Sequence, residues 1–88
     1  VLYLAICYGG RWEVEYYSKR GLVPPSLRMP PIDLVIRTGG RRRLSDFFPL
    51  ASSYAELYFT DTLWPDLSPS ELCKALEWYS KQERLFGK

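Results

Sequence analysis

Two short apolar runs, each ended by a glycine pair, constrain the fold more than any other feature of this sequence. Leu2-Tyr3-Leu4-Ala5-Ile6-Cys7 stops at Gly9-Gly10, and Ile32-Asp33-Leu34-Val35-Ile36-Arg37 stops at Thr38-Gly39-Gly40. The first run lacks polar alternation, the profile of a strand buried on both faces, as strands of parallel sheets are. The second is β-branched and apolar, and Tyr54 to Thr60 has the aromatic content of a third strand. Arg11 to Arg20 reads as a short helix that stops at Gly21. Pro24, Pro25, Pro30 and Pro31 then make a stiff extended connector, because proline removes a backbone donor and fixes φ. Phe47 to Ser53 fits neither period.

Ser68-Pro69-Ser70-Glu71 opens the last element, with Ser as N-cap, Pro at the first helical position and Glu where a capping box needs it. Leu72, Ala75, Leu76 and Tyr79 recur at helical spacing, so the helix predicted over 69–84 packs that face on the sheet, with Gly87 as its stop. Strands alternating with helices predict an α/β fold, a parallel β-sheet core flanked by helices, in one domain over residues 1–88. A chain of 88 residues buries only about 60–65% of its unfolded surface, so the core is marginal. Aromatic residues make up 16% of the chain, and that apolar area points to a partner.

The net charge of +2 argues against nucleic acid as a partner, but it hides a local concentration. Arg37, Arg41, Arg42 and Arg43 lie within one short stretch, Arg37-Thr38-Gly39-Gly40-Arg41-Arg42-Arg43-Leu44-Ser45, at the end of the second strand. In open α/β sheets, ligands bind at that end. Glycines let backbone N–H groups approach a ligand, and guanidinium forks match phosphate oxygens in pairs, so the combination suits a diphosphate. A solvated basic turn is the competing explanation. Glu56 lies among Tyr54, Ala55, Leu57, Tyr58 and Phe59, where an ionised carboxylate needs a cation, either an arginine or a metal.

The chain has no His, which excludes Ser-His triads, Cys-His dyads and histidine metal sites. Cys7 and Cys73 lack metal spacing, and a reduced, cytoplasmic setting is expected. The glycine pairs match neither the P-loop nor the dinucleotide fingerprint. The apolar run at the start is too short for a membrane span and lacks the basic leader of a signal peptide.

These residues resemble the cis-prenyltransferases, the undecaprenyl diphosphate synthase family. Tyr8-Gly9-Gly10-Arg11-Trp12-Glu13 is similar to the block that follows a central strand of that family. Asp33-Leu34-Val35-Ile36-Arg37-Thr38-Gly39-Gly40, Arg43, Ser45, Phe47, Tyr54-Ala55-Glu56-Leu57-Tyr58-Phe59, Asp61 and Trp64-Pro65-Asp66 resemble its two C-terminal signature blocks. The resemblance implies a partial cis-prenyltransferase fold, its C-terminal part, and condensation of isopentenyl diphosphate onto an allylic diphosphate with Mg²⁺. Arg37, Arg43 and Ser45 then take positions that hold the diphosphate of isopentenyl diphosphate, and Glu56 the position that helps bind Mg²⁺. A homodimer through this region is implied, with peripheral membrane association through the lipid product.

The Asp-Gly-Asn-Gly-Arg block that carries the family's catalytic Asp is not among these residues. Asp46 stands where the family usually has Asn, and the segment from Arg11 to Ile32 is short for the family. Near the terminus, Arg84 stands one position early relative to the family's Arg-x-Gly. Two alternatives accompany the enzyme reading: an accessory subunit of a heteromeric cis-prenyltransferase, and a basic anion-binding module.

Overall fold

The computed structural model describes residues 1–88. Its centre is a pair of parallel strands, β1 (Leu34–Arg37) and β2 (Glu56–Phe59), with Leu34 opposite Glu56 and Arg37 opposite Phe59. Parallel strands require a crossover, and here a chain of turns between the strands makes it instead of a helix. Side chains alternate along a strand, and paired positions of a parallel ladder share a face. Val35, Arg37, Leu57 and Phe59 therefore lie on one face, and Leu34, Ile36, Glu56 and Tyr58 on the other.

Helix α2 (Pro69–Ser80) covers the second face, with the Tyr58 and Trp78 rings 5.4 Å apart and Ala75 wholly buried. Ser68 caps it as predicted, its hydroxyl accepting from the Glu71 N–H at 3.2 Å. The capping box is only half made, because the Glu71 carboxylate accepts from the hydroxyls of Thr60 and Thr62 instead of reaching back to Ser68. This pins the start of α2 to the segment leaving β2. The helix ends at Ser80, short of the predicted Arg84, because the chain turns back and Arg84 reaches across to the start of the strands.

Helix α1 (Gly10–Arg20) ends where predicted: Gly21 takes the left-handed conformation at φ 62 and donates its N–H to the Tyr17 carbonyl at 2.8 Å. Lys19 and Arg20 in its last turn complement the helix dipole. A 3-10 turn over Pro25–Arg28 breaks the proline-rich connector, and a second one lies at Trp64–Asp66.

Two expectations need correction. Residues 2–7 form no strand, and Leu2, Leu4 and Ile6 are 83%, 74% and 78% exposed. A strand apolar on both sides needs a ladder neighbour and two covering layers, and these 88 residues provide neither to it. On α2, Leu72 and Leu76 face outward, and Ala75, Trp78 and Tyr79 make the inward face. Only 7 of the 88 residues are buried, so the marginal core expected from length is thinner still. No helix is long and apolar enough to cross a membrane.

Candidate diphosphate site

The arginine loop begins where the two strands end. Thr60 N–H donates to the Arg37 carbonyl at 3.0 Å, Gly39 N–H to Thr62 at 2.9 Å and Gly40 N–H to Thr60 at 3.0 Å, which ties the loop to the segment after β2. Gly39 and Gly40 have φ of 84 and 76, and a Cβ on Gly40 would approach Asp61 Oδ1 at 3.1 Å, so these turns need glycine. Their N–H groups are therefore engaged by backbone carbonyls. These two N–H groups are thus not free for a ligand, and what the loop presents besides its other N–H groups is its side chains.

Three of the loop's residues share one cavity. Arg37, Arg43 and Ser45 line one cavity of about 360 Å³ with Val35, Leu44 and Phe47, and Arg37 Nη1 donates to Ser45 Oγ at 3.5 Å. Two arginines and a serine thus line a common space at the carboxyl end of a parallel strand. Arg42 departs from them, lining a separate hollow with Leu57, Tyr58, Phe59 and Trp78, and Arg41 is exposed. Of the four clustered arginines, two line this cavity.

Behind the cavity, the chain from Ser45 to Phe48 is unusual. Ser45, Asp46 and Phe48 have φ of 52, 63 and 45, conformations that cost a residue with a side chain roughly 1 kcal/mol or more each. Phe48 is held by stacking on Tyr8, with centroids 4.0 Å apart and planes 12° apart, and its carbonyl accepts from the Ser52 hydroxyl at 2.6 Å. Burial first, and then the facing Glu13 carboxylate, push the Tyr8 hydroxyl up to about 12. Neither the Tyr8 hydroxyl nor the Glu13 carboxylate, itself 1% exposed, has a hydrogen bond of good geometry. Sequence reasoning gave Glu13 no structural role; its place among aromatic residues was the available signal.

Glu56 is elsewhere. It begins β2 while Arg37 ends β1, a separation of about 10 Å along the strands at the usual rise per residue. It also projects from the opposite face. There it meets Arg84, whose Nε lies 3.9 Å from Glu56 Oε1 and whose Nη2 lies 3.4 Å from Asp33 Oδ1. Arg84 donates further to the Tyr54 carbonyl at 3.3 Å and to the Tyr79 hydroxyl, and its guanidinium lies 4.8 Å from the Phe86 ring centre. The cation required by a half-buried Glu56 is thus an arginine. No group of three or more His, Cys, Asp or Glu side chains could hold a metal ion.

Comparison with known proteins agrees with this architecture. The family described as "Putative undecaprenyl diphosphate synthase" matches residues 15–87. A tritrans,polycis-undecaprenyl-diphosphate synthase (geranylgeranyl-diphosphate specific) of Aeropyrum pernix is 51% identical over 83 residues, covering 94% of this chain and 37% of that protein. A ditrans,polycis-undecaprenyl-diphosphate synthase ((2E,6E)-farnesyl-diphosphate specific) of Acinetobacter baylyi is 42% identical over 107 residues, covering 99% of this chain and 43% of that protein. The latter alignment is longer than the 88-residue chain, so that relative carries residues this chain lacks within the matched region.

Among solved structures, a probable undecaprenyl diphosphate synthase from Campylobacter jejuni superposes with a TM-score of 0.75 at 32% identity, covering 94% of this chain and 45% of that one. Lavandulyl diphosphate synthase from Lavandula x intermedia, in complex with dimethylallyl diphosphate, gives 0.71 at 30% identity, covering 94% and 44%. The chain therefore spans less than half the length of these relatives. A parallel strand pair ending in an arginine loop, the similarity in sequence and the agreement with solved structures lead to one conclusion: this chain belongs to the undecaprenyl diphosphate synthase family of prenyltransferases.

Proposed function

We propose that this chain supplies the isopentenyl diphosphate half of a cis-prenyltransferase site, for condensation onto an allylic diphosphate. The observation that carries this reading is the convergence of Arg37, Arg43 and Ser45 on one cavity at the carboxyl end of β1. Arg37 and Arg43 pair with diphosphate oxygens, and Ser45 contributes a hydroxyl whose orientation is set by Arg37. Their contribution to prenyl transfer is to bind and orient the isopentenyl diphosphate, so that its double bond lies where an allylic carbon is presented.

Mg²⁺ in this chemistry neutralises diphosphate charge. Within this chain the residues do not fit that ion beside the arginine loop. Glu56 is paired with Arg84 and faces away from Arg37 at the far end of the strand pair. A metal role for Glu56 requires a diphosphate held by something other than this chain's own loop, with Arg84 released.

The exposed apolar residues Leu2, Leu4 and Ile6, and Leu72 and Leu76 on α2, support a chain that acts within a larger assembly. They favour completion of the sheet by the remainder of the family fold, in the same polypeptide or as a separate subunit, and a dimer contact through α2. Membrane association would come through the lipid product.

The test is an NMR titration of the chain with isopentenyl diphosphate. The account expects the Arg37 and Arg43 side-chain Nε–H signals and the Ser45 amide to move together and saturate. Movement confined to other arginines would discard the site.

A further inference from the structure

The cavity groups would be poorly presented without the turn at residues 45–48, and that turn is held from the side by helix α1. The α1 N-cap, Gly9, has no side chain to satisfy the first helical N–H groups. Asp46 does so from far along the chain: its main-chain carbonyl accepts from Gly10 N–H at 3.0 Å, and its Oδ2 accepts from Arg11 N–H, 35 positions earlier, at 3.2 Å. The approach is close enough to exclude any side chain at residue 10, where a Cβ would fall 2.6 Å from Pro49 and 2.7 Å from Asp46 Oδ1.

Resting on the diphosphate reading above, we propose that Asp46 is a positioning residue, which by capping α1 through its main-chain and side-chain oxygens fixes the left-handed turn presenting Ser45 beside Arg37 and Arg43. Three observations carry it. Ser45 and Asp46 both occupy the left-handed region, so the turn needs an external hold to persist. The hold is two-point, and it acts on the residue next to the hydroxyl in the cavity. The Asp46 carboxylate is directed to the positive end of the α1 dipole, which offsets its charge beside an anion site. An asparagine oxygen in the same place would make the same bond, so the hydrogen-bond acceptor, not the negative charge, is the requirement.

The test uses the 88-residue chain with inorganic pyrophosphate as the probe. Asp46→Gly keeps the main-chain acceptor and removes the strain of a left-handed Asp, so a purely local strain model expects unchanged folding and binding. The proposal expects Asp46→Gly to weaken pyrophosphate binding about tenfold, the equivalent of one lost hydrogen bond. Asp46→Asn restores binding to about the parent value, because it keeps the acceptor. Gly10→Ala, acting from the helix side, weakens binding as Asp46→Gly does. Binding by Asp46→Gly equal to or tighter than the parent would overturn the proposal, since the carboxylate would then be neutral or repulsive.

A ligand-free arm separates this inference from the diphosphate reading. Amide exchange and chemical shifts of Gly10, Arg11 and Ser45 are compared in the parent, Asp46→Gly and Asp46→Asn. Lost protection at Arg11 with a displaced Ser45 signal in Asp46→Gly, both recovered in Asp46→Asn, supports the clamp. An unmoved Ser45 signal overturns it. If the parent itself fails to bind pyrophosphate, the diphosphate reading falls, and this arm still decides the role of Asp46.

Discussion

Replacing Arg84 with alanine tests how the thin core is held together. The Arg84 side chain is 17% exposed and serves two carboxylates at once, Asp33 at 69% exposure and Glu56 at 27%. The Asp33 pair is largely screened and contributes about 0–1 kcal/mol. The Glu56 pair is shielded from water, and losing Arg84 leaves that carboxylate without its cation, a cost of about 1–2 kcal/mol after discounting for its partial exposure. Bonds to the Tyr54 carbonyl and Tyr79 hydroxyl, with the Phe86 ring contact, add about another 1 kcal/mol, since such contributions overlap in one hub. The expected loss is about 2–3 kcal/mol, a large share of the roughly 4–13 kcal/mol available to a chain of this size. Urea denaturation followed by far-ultraviolet circular dichroism measures it, and thermal melting should fall by about 10–20 °C. Arg84→Lys should recover only part, because an ammonium cannot reach all these partners in one plane. A loss below about 0.5 kcal/mol, the range of ordinary surface substitutions, would refute the hub.

Three further outcomes follow from single residues. Arg43→Ala should weaken isopentenyl diphosphate binding by about 1.5–3 kcal/mol in calorimetric titration, and an unchanged affinity would remove Arg43 from the site. Glu71 is held below its ordinary value of 4.5 by the Thr60 and Thr62 hydroxyls. Its stabilisation is therefore complete above that value and lost as pH falls through the lower folded value; Glu71→Gln should flatten this part of the acid-unfolding curve. Tyr8 is raised from 10.0 to about 12, so its contribution is complete below 10.0 and lost as pH rises toward 12. Its hydroxyl lacks a hydrogen bond of good geometry, so Tyr8→Phe should leave the urea midpoint unchanged or raised, whereas a clear destabilisation would show a partner for that oxygen.

What could be read from the residues was what local chemistry determines. The stop at Gly21, the Ser68 cap and the second and third strands follow from short-range pattern, whereas the choice of Arg37, Arg43 and Ser45 within the basic stretch came from the family resemblance. Leu2 to Cys7 illustrates the limit: the run has the composition of a buried strand, but a strand exists only where a neighbour accepts its hydrogen bonds. Leu72 and Leu76 show the same limit for a helix, because periodicity identifies an apolar face without identifying what covers it.

Long-range pairing was less visible. The glycine N–H groups of the loop look free from sequence, and only the fold shows that Thr60 and Thr62 occupy them. The resemblance implies one shared site for Glu56 and the arginine loop, yet strand parity and direction put them on opposite faces and at opposite ends. Asp46 is a polar loop residue by pattern, and its bond to Arg11 spans 35 positions. The residues that determine the site's geometry are thus less legible than those whose charge suggests it.

The most direct test of the central claim is calorimetric titration of the chain with isopentenyl diphosphate, using inorganic sulfate as the control anion. The account predicts saturable binding at one site, preferred over sulfate, and weakened about tenfold or more in both Arg37→Ala and Arg43→Ala. Equal binding of sulfate and isopentenyl diphosphate, or no binding of either, would contradict a diphosphate site formed by Arg37, Arg43 and Ser45 in this chain.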